Sequence, residues 1–182
     1  MNDATNTPPA ADDFGTVVDA QTVRFVRDLP GPIERVWDYL TKAELTATWL
    51  YGNEIPSTVG EEFGSSWEGE GDEPGGVIRF RVRTYDPPRV LEYDWVEVPS
   101  PTGTITDSHV RFELEPIGDR VRLTLTHRAL PAHAFESVAA GWHAHLDVLR
   151  AVLAGVDGPD AETRYETLKD GYADVTRRAG LR

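Results

Sequence analysis

The chain has 182 residues, 40% hydrophobic and 27% charged, a composition that suits one globular domain with a buried core and not a disordered chain. It contains no cysteine, which excludes a disulfide scaffold, thiolate catalysis, iron–sulfur clusters and cysteine-ligated zinc. Lys and Arg number 18 against 31 Asp and Glu, a formal net charge of −13, and such a field repels phosphate backbones and anionic lipid, so neither nucleic acid nor membrane is an expected partner.

Residues 1–15 are rich in Pro, Ala, Asp, Asn and Thr and cannot offset their ordering entropy by burial, so they read as a disordered tail. They carry neither the basic region nor the apolar core of a secretory leader. No apolar run approaches the roughly 20 residues that cross a bilayer, and the expected location is the cytoplasm. Residues 16–29 read as a strand that stops at Pro30, Gly31 and Pro32. Ile33, Val36, Trp37 and Leu40 then recur at helical spacing. Thr41 and Glu44 stand at capping-box spacing and predict a second short helix carrying Leu45 and Trp49.

From Val59 to Leu130 the pattern is β, with turns expected at residues 71–76, 86–89, 99–103 and 116–119. Folding at 86–89 so that Tyr85 meets Val90 sets Arg83 opposite Glu92 and Arg81 opposite Asp94 on one face. The other face then pairs Val82 with Tyr93 and Phe80 with Trp95. Folding at 116–119 so that Glu115 meets Arg120 sets Glu113 opposite Arg122. Leu114, Phe112, Val110 and Ser108 then face Val121, Leu123, Leu125 and His127. One apolar face and one face of opposed charges in each hairpin predict an antiparallel sheet covered on one side.

The expected cover is a helix over residues 134–156. Phe135, Val138, Trp142, Leu146, Leu149 and Leu153 make its apolar stripe, with Glu136, His143, Asp147 and Arg150 on the solvated side. Residues 160–179 read as a further amphipathic helix carrying Tyr165, Leu168, Tyr172 and Val175. The expected organisation is a domain over 16–157 followed by a helical extension over 158–182.

The stretch VRFVRDLPGPIERVWDYLTKAELTATWL, the later LTLTHRALP and the segment AGWHAHLDVLRAVLAG resemble the START-like, polyketide-cyclase-like superfamily (SRPBCC). Within it they are most similar to the family of the activator of the heat-shock-protein-90 ATPase. The resemblance covers roughly residues 20–157. It implies an α+β helix-grip fold, a curved antiparallel sheet wrapped around a long C-terminal helix with an internal cavity between them.

The hairpin registers indicate what lines that cavity. Tyr93, Trp95, Thr106, Ser108 and His127 face inward at one end of the sheet, with Thr104 on the same side. Trp142 and His145 approach from the helix, and Trp49 or Tyr51 stands near the mouth. Aromatic area with a few convergent polar groups suits a small apolar or aromatic ligand. The same residues have a plainer reading. Ser and Thr near a strand end commonly reach solvent, an inward His is commonly a hydrogen-bonded structural residue, and Trp142 sits mid-stripe as a core residue would. His143 and His145 are two residues apart on a helix and cannot chelate one metal. No metal-binding, phosphate-loop or nucleophile-elbow motif is present, so no metal, cofactor or catalytic residue is assigned. Two alternatives accompany the ligand-binding reading. One is a cyclase or hydrolase using His127, Ser108 or Tyr93 as proton handlers. The other is an interaction domain, co-chaperone-like or a homodimer formed through the stripe of the last helix.

Overall fold

The computed structural model describes residues 14–67, 76–100 and 103–181. Its strands are β1 (Thr16–Asp19), β2 (Thr22–Pro30), β3 (Glu62–Trp67), β4 (Gly76–Asp86), β5 (Val90–Ser100), β6 (Gly103–Ile105), β7 (Ser108–Ile117) and β8 (Arg120–Arg128). Its helices are α1 (Ile33–Thr41), α2 (Ala43–Thr46), α3 (Phe135–Ala154) and α4 (Ala161–Arg178). The strands form one antiparallel sheet in the order β1-β2-β8-β7-β5-β4-β3, with β6 added to the end of β5. Helix α3 lies across its apolar face, the expected helix-grip arrangement.

The first expected strand is two. Asp19 turns the chain by accepting the Gln21 backbone N–H at 2.8 Å, as short carboxylate side chains do in turns. The capping box is absent. Thr41 donates its hydroxyl to the Trp37 carbonyl at 2.9 Å, and Glu54 receives the Ala43 N–H at 2.8 Å. The short α2 ends at Thr46, before Trp49.

Away from the β4–β5 turn both hairpins keep their expected faces, and some of their partners change. Between β4 and β5, Phe80 opposes Trp95, Arg81 opposes Asp94 and Val82 opposes Tyr93, as read. Nearer the turn the register shifts by one, so Thr84 opposes Glu92 and Tyr85 opposes Leu91. The extra residue, Arg83, is absorbed as a bulge. Its guanidinium pairs with Asp94 instead of Glu92, and Arg81 pairs with Glu62 of β3. Between β7 and β8 the turn is tighter than expected, with Ile117 opposite Arg120 and Gly118 in the left-handed region at φ 69°. Every partner moves by two: Leu114 meets Leu123, Phe112 meets Leu125 and Val110 meets His127. A shift of two leaves each side chain on its own face, since alternation has period two. Arg122 consequently pairs with Asp28 of β2 at 2.9 Å and not with Glu113.

Phe25, Phe80, Leu91, Phe112, Leu123 and Leu125 form the sheet side of the core, and Leu146, Leu149 and Leu153 of α3 meet them. Gly155, at φ 67°, ends α3 as a left-handed cap. Asp160 caps α4 by accepting the Thr163 N–H at 2.9 Å.

The expected solvated side of α3 is a correction. His143 is fully buried and Asp147 nearly so, because α4 packs along that side and buries its own Leu168 and Tyr172 there. Arg164 of α4 binds Asp147 at 2.8 Å, and Arg150 binds it at 3.1 Å. Tyr172 Oη lies 3.1 Å from His143 Nδ1 and accepts the Gly15 N–H at 2.9 Å, while the Phe14 ring packs 5.0 Å from that of Tyr172. Phe14 and Gly15, expected in the tail, are thus part of the packed structure, whereas residues 1–13 lie outside the described residues. So do most of the expected turn at 71–76 and the middle of that at 99–103. The α4 stripe is turned toward α3, with Leu168 and Tyr172 buried and Tyr165 and Val175 partly exposed.

Candidate functional site

A cavity of about 510 Å³ opens between the far end of the sheet and the helices. Trp95 and Val98 of β5 and Ile105 of β6 form its sheet wall. Val138, Gly141, Trp142 and His145 form the α3 wall at the i, i+3, i+4, i+7 spacing of one helix face. Leu50 and Tyr51, from the segment after α2, and Glu162 and Tyr165, from the start of α4, complete the rim. A Cβ built on Gly141 would meet nothing within 4 Å, so this glycine leaves open the middle of the helix wall.

Tyr51, Trp95, Trp142 and His145 are the predicted residues that the structure brings to this cavity. Trp49 and Tyr93 instead border a separate void of about 20 Å³ among Phe63, Phe80 and Phe112, room for a water at most. Trp49 is buried beneath the rim with its Nε1–H given to the Tyr39 carbonyl at 2.8 Å. Thr106 and Thr104 are a correction: both are exposed, and Ile105 points inward between them. Asp107 has a left-handed backbone, φ 57°, which breaks strand alternation just before Ser108. Counting inward sites through it therefore puts Thr104 and Thr106 on the wrong side.

Ser108 and His127 do lie inward, but fully buried behind the cavity wall. Trp142 Nε1 can only donate, and it does so to His127 Nδ1 at 2.9 Å. The His127 proton must then sit on Nε2, which lies 3.0 Å from Ser108 Oγ and donates to it. Burial, with a smaller push from His109, pulls the His127 imidazole down to about 3. A neutral imidazole with both nitrogens engaged holds Trp142 in place and has no free position from which to move a ligand's proton. Burial likewise pushes the Tyr93 hydroxyl up, away from proton transfer near neutral pH. The proton handlers named for an enzyme are thus sealed from the cavity.

His145 is different. Its Nδ1 lies 2.7 Å from the Trp49 carbonyl, which can only accept, so Nδ1 carries the proton. Burial lowers its basicity, partly offset by that hydrogen bond, which leaves a neutral ring with Nε2 as an acceptor. Sequence reasoning missed Val98, Ile105, Gly141, Glu162 and Tyr165. Gly141 carried a readable signal, a residue without a side chain on the apolar face of a long helix. The α4 residues carried none, because where α4 folds back is not a local property. Among the described residues no group of His, Asp and Glu could hold a metal ion, and no helix is long and apolar enough to cross a membrane.

Comparison with solved structures finds the same architecture repeatedly. A protein of Bordetella parapertussis, known from its solution structure, is 35% identical over 95% of this chain and 94% of its own, with a TM-score of 0.70. CalU16 of Micromonospora echinospora shares the fold at 19% identity over 85% of this chain and 87% of its own, with a TM-score of 0.65. The Aha1 dimer of Colwellia psychrerythraea does so at 15% identity over 72% of this chain and 95% of its own, with a TM-score of 0.58. Comparison with curated proteins gives no significant match. The profile of the Activator of Hsp90 ATPase homolog 1-like proteins matches residues 30–154, from the end of β2 to the last residue of α3. That span holds α1, most of the sheet and the helix that grips it, and this chain belongs to the Activator of Hsp90 ATPase homolog 1-like family.

Proposed function

We propose that this protein binds a small apolar or aromatic molecule in the cavity between α3, the β5–β6 end of the sheet and the start of α4. The observation that carries the reading is a cavity of about 510 Å³ walled by the rings of Tyr51, Trp95, Trp142 and Tyr165. That volume lies within the range of ordinary ligand sites, and aromatic walls supply affinity through area. The aromatic wall is also held in place before any ligand arrives, since Trp142 is fixed by His127 and Ser108. Binding is favoured over catalysis because the described groups that face the cavity include no activated nucleophile.

The test uses the neutral fluorophore N-phenyl-naphthylamine with the full chain and with Gly141→Leu. The glycine has open space where its Cβ would be, and Leu has a better helix propensity by roughly 0.8–1 kcal/mol, so the variant fills the cavity without a stability loss. The expected result is saturable binding to the wild type, weakened about tenfold or more in the variant, with a melting temperature no lower. Equal binding to both proteins, or none to the wild type, would overturn the reading.

A further inference from the structure

We infer that this cavity selects by charge, taking a flat aromatic body that carries a protonated amine in preference to an amphiphile that carries a carboxylate. The inference rests on the ligand-binding reading above and adds the chemical class. Its basis is the negative charge on the lining and the direction in which the serine, histidine and indole groups there have spent their protons. Ser137 gives its hydroxyl proton to the Ala134 carbonyl at 3.0 Å, which leaves lone pairs on Oγ. His145 gives its Nδ1–H to the Trp49 carbonyl, which leaves Nε2 as an acceptor. Glu162, the charged residue among those lining the cavity, is a carboxylate and accepts only. The Trp142 indole has given its N–H to His127. The Trp95 Nε1–H has no acceptor among the described residues, but the atom is enclosed and is not offered to the cavity.

The Tyr51 and Tyr165 hydroxyls can donate or accept, the other polar groups presented are acceptors, and no Lys or Arg is among the described residues that line the site. A bound carboxylate would meet Glu162 with no cation to offset the repulsion. A bound ammonium would find acceptors for its N–H groups and the negative faces of several rings, which attract cations. The net charge of −13 adds a long-range field of the same sign. Glu162 also lies in the first turn of α4, where a carboxylate interacts favourably with the helix dipole. Loss of its charge is therefore diagnostic only when ligands of different charge are compared.

The experiment titrates the full chain with three ligands built on one ring, naphthylmethylamine, naphthalenemethanol and naphthoic acid, near neutral pH and low salt. Trp95 and Trp142 line the cavity, so tryptophan emission reports occupancy. The amine should bind about tenfold more tightly than the alcohol, and the acid more weakly than either. In Glu162→Gln the amine-to-alcohol ratio should fall to within about twofold, and added salt should shrink it in the wild type. An acid that binds as well as the amine, or a ratio that Glu162→Gln leaves intact, would overturn the charge inference while the alcohol's binding still upheld a ligand site. Failure of all three to bind would overturn the ligand reading itself.

Discussion

Replacing His127 by Gln should remove a large part of the acid sensitivity of this fold. The folded imidazole is pulled down to about 3, against an ordinary value of 6.5, because the ring is fully buried and its Nδ1 is already taken by the Trp142 N–H. A histidine with a depressed folded value protonates more readily in the unfolded chain. Acid therefore favours unfolding. The stability held by the neutral ring is complete above pH 6.5 and drains as the pH falls toward 3. Each unit inside that window is worth about 1.4 kcal/mol, so the loss between pH 6.5 and roughly 4.5 is about 2 kcal/mol. His145 is shifted in the same direction and adds to the slope. The depressed carboxyls of Asp28 and Asp160 act lower, as the pH falls below their ordinary value of 3.8. The Gln amide can accept from Trp142 and donate to Ser108 but does not titrate, so it keeps the buried chain of hydrogen bonds while removing the proton linkage. Urea denaturation at constant ionic strength, at several values between about pH 4.5 and 7.5, measures the slope in both proteins. A wild-type stability that is flat across the window would refute the reasoning, as would a variant with the wild-type slope.

Three further substitutions probe the packing. Asp147→Ala should cost about 3 kcal/mol in chemical denaturation, because it strands the largely buried Arg164. Arg83→Ala, which breaks a pair whose arginine is half exposed, should cost about 0–1 kcal/mol, and equal costs for the two would show that α4 is not locked to α3. Trp142→Ala should cost roughly 3–5 kcal/mol through the cavity it leaves and the unpaired His127 Nδ1, and an unshifted denaturation curve would contradict the packing of α3 on the sheet.

Much of the site's background was readable along the chain, and the errors have identifiable causes. Phe80, Val82, Tyr93, Trp95, Val110, Phe112 and Leu114 all face the core as their alternation predicts. Arg83 does not oppose Glu92, because a single bulged residue next to the turn changes partners without changing the composition of the strand. Thr106 was misplaced by one left-handed residue, Asp107, which no side-chain pattern announces. His143 and Asp147 are polar and lie opposite the apolar stripe of α3, so a helix wheel assigns them to water. They are buried because another helix carries Arg164 and Tyr172 to meet them.

What the sequence by itself determined is the kind of most elements and the face most side chains take within an unbroken strand or helix, since these follow from local periods of two and 3.6 residues. The tertiary structure alone decided which charges pair across strands, how α4 and Phe14 close over the back of α3, and where space is left unfilled. Those outcomes depend on segments brought together from distant parts of the chain. Ser108 and His127, read as a pocket, became a sealed strut because the Trp142 indole reached them first. The cavity opened beside them, where Gly141 supplies no side chain and Glu162 and Tyr165 arrive from a helix that starts 20 residues further along.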